Sequence, residues 1–374
     1  MAKQLNLIYA ISKNGNIVHI SEVASGAACD CICPSCGSKL IAKKGKEKAH
    51  HFSHDSKTTC EYGYQTSLHM AAKEILFSAE SILIPEVVLP FKGLHRIKTI
   101  SPERKINVDR VELEQKTGSI IPDIVIQCGN RKLFVEIFVT HKIDNSKLEK
   151  IKELDISTIE IDLRKYADNI SNDSLKEILL GTSKNKYWVY NSVVNRHIMR
   201  LYELSKKKKI LDEGAGCATV KSCPFHLIKS EGQYCAYLSD CYDCIYCIEI
   251  NEEKEYIVCT GQQLVSDIND SERTIEERKE KAITWIENRD KEYIEYGECP
   301  YCDYGTLTKK ENVEIIEFKC DTCNSSGIYN KKTSKITTSD YKREKNLNRI
   351  IWKQKIAPTK PLLCANYLKS NNNN

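Results

Sequence analysis

The spacing of the cysteines constrains this chain more than any other feature. There are 18 among 374 residues, and many fall in Cys-x-x-Cys pairs: Cys33/Cys36, Cys241/Cys244, Cys299/Cys302 and Cys320/Cys323. A chain of this length buries a core without disulfide staples. Its first residues, Met1-Ala2-Lys3-Gln4, also lack the basic-then-apolar layout of an export signal. Paired cysteines in that setting read as metal ligands before disulfides, and the expected compartment is the reducing cytoplasm. No run approaches the roughly 18 uninterrupted apolar residues of a membrane span, so no membrane partner is expected. Hydrophobic residues at 41% and charged residues at 29% fit a globular protein of two or three domains.

Three Cys-rich modules follow from the spacing. The last, Cys299-Pro-Tyr-Cys302 with Cys320-Asp-Thr-Cys323, has two knuckles that each aim two thiolates at one tetrahedral ion. It is expected to be a closed, structural zinc site. The first module pairs Cys33 and Cys36 with two ligands from His51, His54 and Cys60, of which His54 and Cys60 are preferred. The middle module offers more cysteines than one ion needs. Cys223, Cys241, Cys244 and Cys259 are the favoured set, with His226, Cys235 or Cys247 as substitutes. Three structural zinc ions are thus expected, on modules that grip something while chemistry happens elsewhere.

Between the first two modules lies a different pattern. Residues 6–23 read as a hairpin around Asn14-Gly15-Asn16, and 65–80 carry apolar residues at helical spacing. Strand-like runs follow at 105–114, 120–127 and 132–140, then a charged helix at 144–155 and a strand at 157–163. The last helix and strand form a crossover, so the strands at 132 and 157 should be parallel neighbours. A connecting helix is expected near 270–296. From Lys331 onward, eleven Lys or Arg stand against two Asp or Glu, so this tail carries +9 and the rest −4. Such a tail behind a metal module points to a polyanion, most simply nucleic acid.

The hairpin around Gly129-Asn130 carries the most chemistry. Counting outward from the turn places Cys128 against Arg131, Gln127 against Lys132, and Asp123 against Glu136. Two acids directly opposite each other are destabilising unless something neutralises them. Phe134 and Phe138 share the face of Glu136, so that face should be partly buried. A divalent cation removes the repulsion, and Glu114 is placed to add a third oxygen. Carboxylates of this kind suit Mg²⁺ or Mn²⁺, and the expected reaction is metal-assisted attack of water on a phosphodiester.

The order helix, three strands, helix, strand, with Pro122-Asp123 on the second strand and Glu136 on the third, resembles the PD-(D/E)xK nuclease core. Cys33-Pro-Ser-Cys36-Gly37, Lys43-Lys44-Gly45, His51-Phe-Ser-His54, Cys60, Ser67-Leu-His69-Met-Ala-Ala-Lys73 and Ile121-Pro-Asp123 resemble competence CoiA-like proteins over about residues 5–165. The resemblance implies Asp123 and Glu136 as metal-binding carboxylates, His69 and Lys73 as helix residues near the site, and DNA as substrate. One departure is plain. Nucleases of this kind carry Lys two residues after the Glu, where this chain has Phe138; His141, Lys142 or Lys73 are the candidates to supply that charge. Cys299-Pro-Tyr-Cys302-x-x-Gly305-x-Leu307 resembles the zinc ribbons of bacterial type I topoisomerases. On that likeness Tyr301, Tyr304, Phe318 and Tyr329 are placed to stack bases beside Lys309 and Lys310.

The resulting expectation is an α/β chain with an αβββαβ core of PD-(D/E)xK type, flanked by small zinc modules. The domains run 1–62 (hairpin and zinc module), 63–200 (nuclease-like), 210–265 (middle zinc module), 266–297 (connecting helix), 298–330 (zinc ribbon) and 331–374 (basic tail). The expected function is a divalent-metal-dependent nuclease on single- or double-stranded DNA, in DNA processing, competence, recombination or phage defence. The alternatives are an inactive nuclease-fold adaptor that binds nucleic acid, and a scaffold for a protein partner in a defence or competence complex.

Overall fold

The structure is a computed structural model that describes residues 6–55, 60, 62–140, 142–166, 170–212, 218–230, 232–302, 305–338 and 350–357. It mixes helix and sheet and divides into two units. One runs Met1–Val88 and Thr99–Asn195, the other Leu89–Lys98 and Arg196–Asn374. Among the described residues, no helix is long and apolar enough to cross a membrane.

The first unit holds two five-stranded sheets. The N-terminal sheet is built from β1 (Tyr9–Ile11), β2 (Ile17–His19), β3 (Gly26–Ile32), β4 (Lys39–Lys43) and β5 (His51–His54), in the order β2-β1-β3-β4-β5. Its hairpin turns at Asn14-Gly15, where Gly15 takes a φ of +83° that a side chain would resist. α1 follows at Gly63–Phe77. The second sheet comprises β6 (Arg110–Leu113), β7 (Ile124–Cys128), β8 (Arg131–Phe138), β9 (Thr158–Asp162) and β10 (Lys186–Tyr190), in that order. α2 (Asn145–Glu153) carries the chain from β8 to β9, which pair in parallel with Glu136 beside Glu160. All other pairings in this sheet are antiparallel.

Both faces of the second sheet are covered, which explains its nearly continuous apolar strands. Leu68, Ala71, Ala72 and Leu76 of α1 pack with Ile126, Val135 and other buried residues of β7–β9. On the opposite face Val125 and Phe134 meet Ile151 of α2. Ile8 and Tyr9 belong to the same core as α1, and His19 Nε2 bonds Ile170 O at 3.0 Å. The N-terminal hairpin is therefore packed onto the second sheet's core.

One expected strand is two. The run 105–114 splits into Arg104–Asn107, which pairs with Ser81–Ile84, and β6, which pairs with β7. The chain changes partners where Val108 N donates to Glu80 O and Asp109 N to Gln127 O, both at 2.9 Å.

The second unit contains a six-stranded sheet ordered Ile228–Ser230, Gln233–Tyr237, Ala218–Lys221, Lys206–Asp212, Tyr256–Cys259, Cys247–Asn251. Lys206–Lys209 pairs antiparallel with Cys259–Tyr256 in this sheet. The connecting helix spans Ile275–Tyr296. It starts at a capping box in which Thr274 and Glu277 bond each other's backbone, and it ends at Gly297 with φ +93°. Arg289, on this helix, donates to both oxygens of Asp240 (2.7 and 3.1 Å) and to Pro300 O (2.8 Å). The helix is thereby fixed to the start of the last module, a four-stranded antiparallel sheet of Leu307–Glu311, Ile315–Cys320, Ser326–Asn330 and Lys335–Thr338.

Candidate active site and metal centres

The first zinc module assembles as the spacing implies. Ligand atoms of Cys33, Cys36, His54 and Cys60 lie within 4.8 Å of one another. Cys33 Sγ is 3.8 Å from Cys60 Sγ, and Cys36 Sγ is 3.3 Å from His54 Nε2. Hydrogen bonds from the Ser38 hydroxyl and backbone bring the Cys36 thiol down to about 6, favouring the thiolate that a metal needs. His51 instead bonds Ala49 O through Nδ1. Cys29 and Cys31 donate to backbone carbonyls.

The C-terminal module brings Cys299, Cys302, Cys320 and Cys323 within the same 4.8 Å limit. Cys299 and Cys323 sulfurs are 3.7 Å apart, and those of Cys302 and Cys320 are 3.6 Å apart. Gly305 backs directly onto this cluster. A Cβ there would lie 2.6 Å from both Cys302 Sγ and Cys320 Sγ. These two Cys/His groups are suited to hold zinc. Among the described residues they are the only groups of three or more such donors so close. The four cysteines expected to bind in the middle module, Cys223, Cys241, Cys244 and Cys259, are buried but stand further apart. Cys241 is carried by the helix Leu238–Asp243, and the other three are outside it.

The base-stacking role expected of Phe318 and Tyr329 does not fit the fold. Phe318 and Tyr329 are buried in the module's own core with Leu307 and Ile316. Alternation along their strands turns them inward. Tyr304 lies outside the described residues, as does most of the basic tail.

The carboxylate site forms where the hairpin count places it. β7 and β8 pair Cys128 with Arg131, Gln127 with Lys132 and Ile124 with Val135, so Asp123 falls opposite Glu136. His69 and Lys73 of α1, one turn apart, both reach Asp123. His69 Nε2 donates to Oδ2 at 2.9 Å, and Lys73 Nζ lies 3.1 Å from Oδ1. The Ile137 amide adds a third bond, to Oδ2 at 3.0 Å. Burial pushes this carboxyl up, but His69, the Ile137 amide and Lys73 together outweigh it and hold it well below the usual range.

Glu136 has the opposite balance. It is buried, and burial with the neighbouring charge of Asp123 pushes its carboxyl up to about 7. Lys147 opposes that shift, its Nζ 2.6 Å from Glu136 Oε1. Asp144 caps α2, accepting from Lys147 N at 2.7 Å, which sets the helix start so that Lys147 returns to the sheet. Glu160, the parallel neighbour of Glu136, is also buried, and its Oε2 accepts from Ile143 N at 3.2 Å. Asp123, Glu136, Glu160, His69, Lys142 and Lys147 line one pocket of about 310 Å³.

One expectation about this site needs correction. Glu114 does not line the pocket as a third oxygen; it is largely exposed, and its Oε1 is bonded to Lys73 Nζ at 2.7 Å. Glu160 is the third acid, and Lys147 a cation that sequence reasoning missed. A signal for Glu160 was present: a lone acid between Ile159 and Ile161 in a strand covered on both faces. Phe138 is buried, with the Arg164 guanidinium 4.1 Å above its ring. His141 lies outside the described residues.

Residues 18–63 match a protein-family model, that of competence protein CoiA, N-terminal domain. Over that segment the chain is similar to CoiA. The matched stretch runs from β2 through the first cysteine–histidine cluster, so it includes all four of that cluster's donors. Comparisons with curated proteins and with solved structures give no match.

Two predictions follow from these geometries. Gly305→Ala forces a methyl group onto two sulfurs, so the variant should lose its C-terminal zinc or bind it far more weakly. Metal analysis of the purified chain beside wild type reads this directly. Because the folded Glu136 carboxyl titrates above its unfolded value of 4.5, its stabilising contribution is complete below about pH 4.5 and is lost as pH rises through about 7. In Mg²⁺-free buffer, Glu136→Gln should therefore be more stable than wild type at pH 8, by up to about 3 kcal/mol, and should lose this advantage near pH 5. Urea denaturation at the two pH values measures it.

Proposed function

We propose that the chain is a divalent-metal-dependent nuclease acting on DNA, with its chemistry at the Asp123/Glu136 pocket. The observation that supports this most is the state of Glu136. It is a buried carboxylate beside Asp123 whose ionisation one nearby lysine does not fully offset. Buried acids so placed are expensive, and a cation shared with Asp123 relieves the cost. The donor set fits a hard ion: Asp123, Glu136 and Glu160 are oxygen donors on one pocket. A bound Mg²⁺ or Mn²⁺ supplies positive charge that shields a phosphate and makes a water more acidic.

The protein's own groups do the rest. His69, Lys73 and the Ile137 amide fix Asp123 in one orientation. Lys142 and Lys147 line the pocket and give a phosphodiester two cationic neighbours. Lys147, against Glu136, carries the charge that Phe138 does not, and it stabilises negative charge building on the phosphate. The similarity of residues 18–63 to the CoiA N-terminal domain suggests a competence-related setting. The zinc modules then serve to hold DNA.

A second reading, a nuclease-like adaptor without activity, draws on Asp123, which has cation or amide partners at both oxygens. A cleavage assay on labelled single- and double-stranded DNA separates the two. With zinc-loaded protein, cutting should require added Mg²⁺ or Mn²⁺. Asp123→Asn and Glu136→Gln should abolish it, and Lys147→Ala should slow it by roughly 100-fold or more. Wild type that binds DNA in a salt-sensitive manner yet never cuts it would establish the adaptor instead.

A further inference from the structure

The middle module holds cysteines that the proposed reaction does not use. Cys223, Cys241, Cys244 and Cys259 are buried in one core, and among the described residues no cysteine is in a disulfide. All four line one small pocket. Cys235, Cys247 and His226 do not line it, and His226 is instead stacked on Tyr234 with ring centroids 4.5 Å apart. The pocket has a volume of about 10 Å³, close to the room taken by one small sphere.

The backbone around these sulfurs repeats what surrounds the other two clusters. In the C-terminal module, Cys299 Sγ accepts from the amide of Tyr301 and Cys320 Sγ from that of Thr322 at 3.4 Å. In the first module, Cys33 accepts from Ser35. Each is an amide two residues on, aimed at sulfur. The middle module makes the same bond three times: Phe225 to Cys223, Tyr246 to Cys244, and Gly261 to Cys259 at 3.3 Å. An amide held on sulfur supports a thiolate, which is the metal-binding form.

Glycine placement repeats as well. Gly63 backs onto Cys33 and Cys60 and Gly305 onto Cys302 and Cys320. Gly261 backs onto the turn after Cys223, where a Cβ would lie 2.9 Å from Pro224 Cγ and 3.1 Å from the Phe225 ring. The Cys223 and Cys259 turns are thus pressed together. Lys208 lines the same pocket and places a positive charge beside what would be a doubly negative four-thiolate zinc centre. Asp240, also at the pocket, is neutralised by Arg289.

We propose that Cys223, Cys241, Cys244 and Cys259 form a third zinc site, closed and structural, completed when the sulfurs draw in around the ion. Four soft donors with no water position select Zn²⁺ over the hard cations of the carboxylate pocket. The site goes beyond the nuclease reading and stands whether or not the chain cuts DNA.

The test is zinc content per full-length chain by elemental analysis, with thiolate-to-metal absorbance after replacement by Co²⁺. Wild type should carry three ions. Cys241→Ser and Cys259→Ser should each carry one fewer and lose about a third of the cobalt–thiolate absorbance, while Cys235→Ser should match wild type. Variants with the wild-type zinc count and absorbance would overturn the site. If the serine variants do not fold, wild type decides alone: three ions support the proposal and two overturn it.

Discussion

Two carboxylates held opposite each other across the β7–β8 hairpin set the problem that the rest of the first unit answers. Asp123 and Glu136 cannot separate, because the Gly129-Asn130 turn fixes the register and a slip of one residue would turn every apolar side chain of β8 to the wrong face. The surroundings treat the two acids unequally. α1 brings His69 and Lys73 to Asp123, whereas α2 brings one lysine to Glu136, with a second buried acid, Glu160, one strand away. The pair therefore consists of one firmly ionised carboxylate and one poised near neutrality. On the proposed function, that asymmetry suits the pocket to a cation and to proton-linked chemistry.

The sheet's coverage on both faces follows from the same requirement. A site at the end of β7 and β8 needs helices on either side to deliver its cations, and both helices bury apolar stripes against the strands. Asp144 fixes the start of α2 and hence the position of Lys147. A cation therefore reaches Glu136 from a helix and not from its own strand.

Much of this was legible in the sequence, and for identifiable reasons. Asn-Gly and Gly-Asn dipeptides mark hairpin turns by their backbone freedom, so the Asp123/Glu136 register was countable. The four-residue step from His69 to Lys73 placed both on one helix face. Cys-x-x-Cys spacing reported the two tight cysteine groups, because a knuckle is a local structure. What stayed hidden depends on distant partners. Glu160 meets Glu136 only through a parallel pairing, and Lys147 reaches it only once the cap is set. The four lysines of Lys206–Lys209 hide a strand, because its partner lies about fifty residues on. Phe318 and Tyr329 looked available for stacking because sequence does not say which face of a four-stranded sheet is buried.

The ionisation of Glu136 and its response to a cation distinguish a cation-binding pocket from a merely buried acid pair. Selective ¹³C labelling of glutamate carboxyls, with the Glu136 signal assigned by its loss in Glu136→Gln, would follow that titration in the full-length, zinc-loaded chain. A midpoint near pH 7 without Mg²⁺, moving to lower pH as Mg²⁺ is added, is the predicted result. A midpoint in the ordinary glutamate range that ignores Mg²⁺ would contradict it.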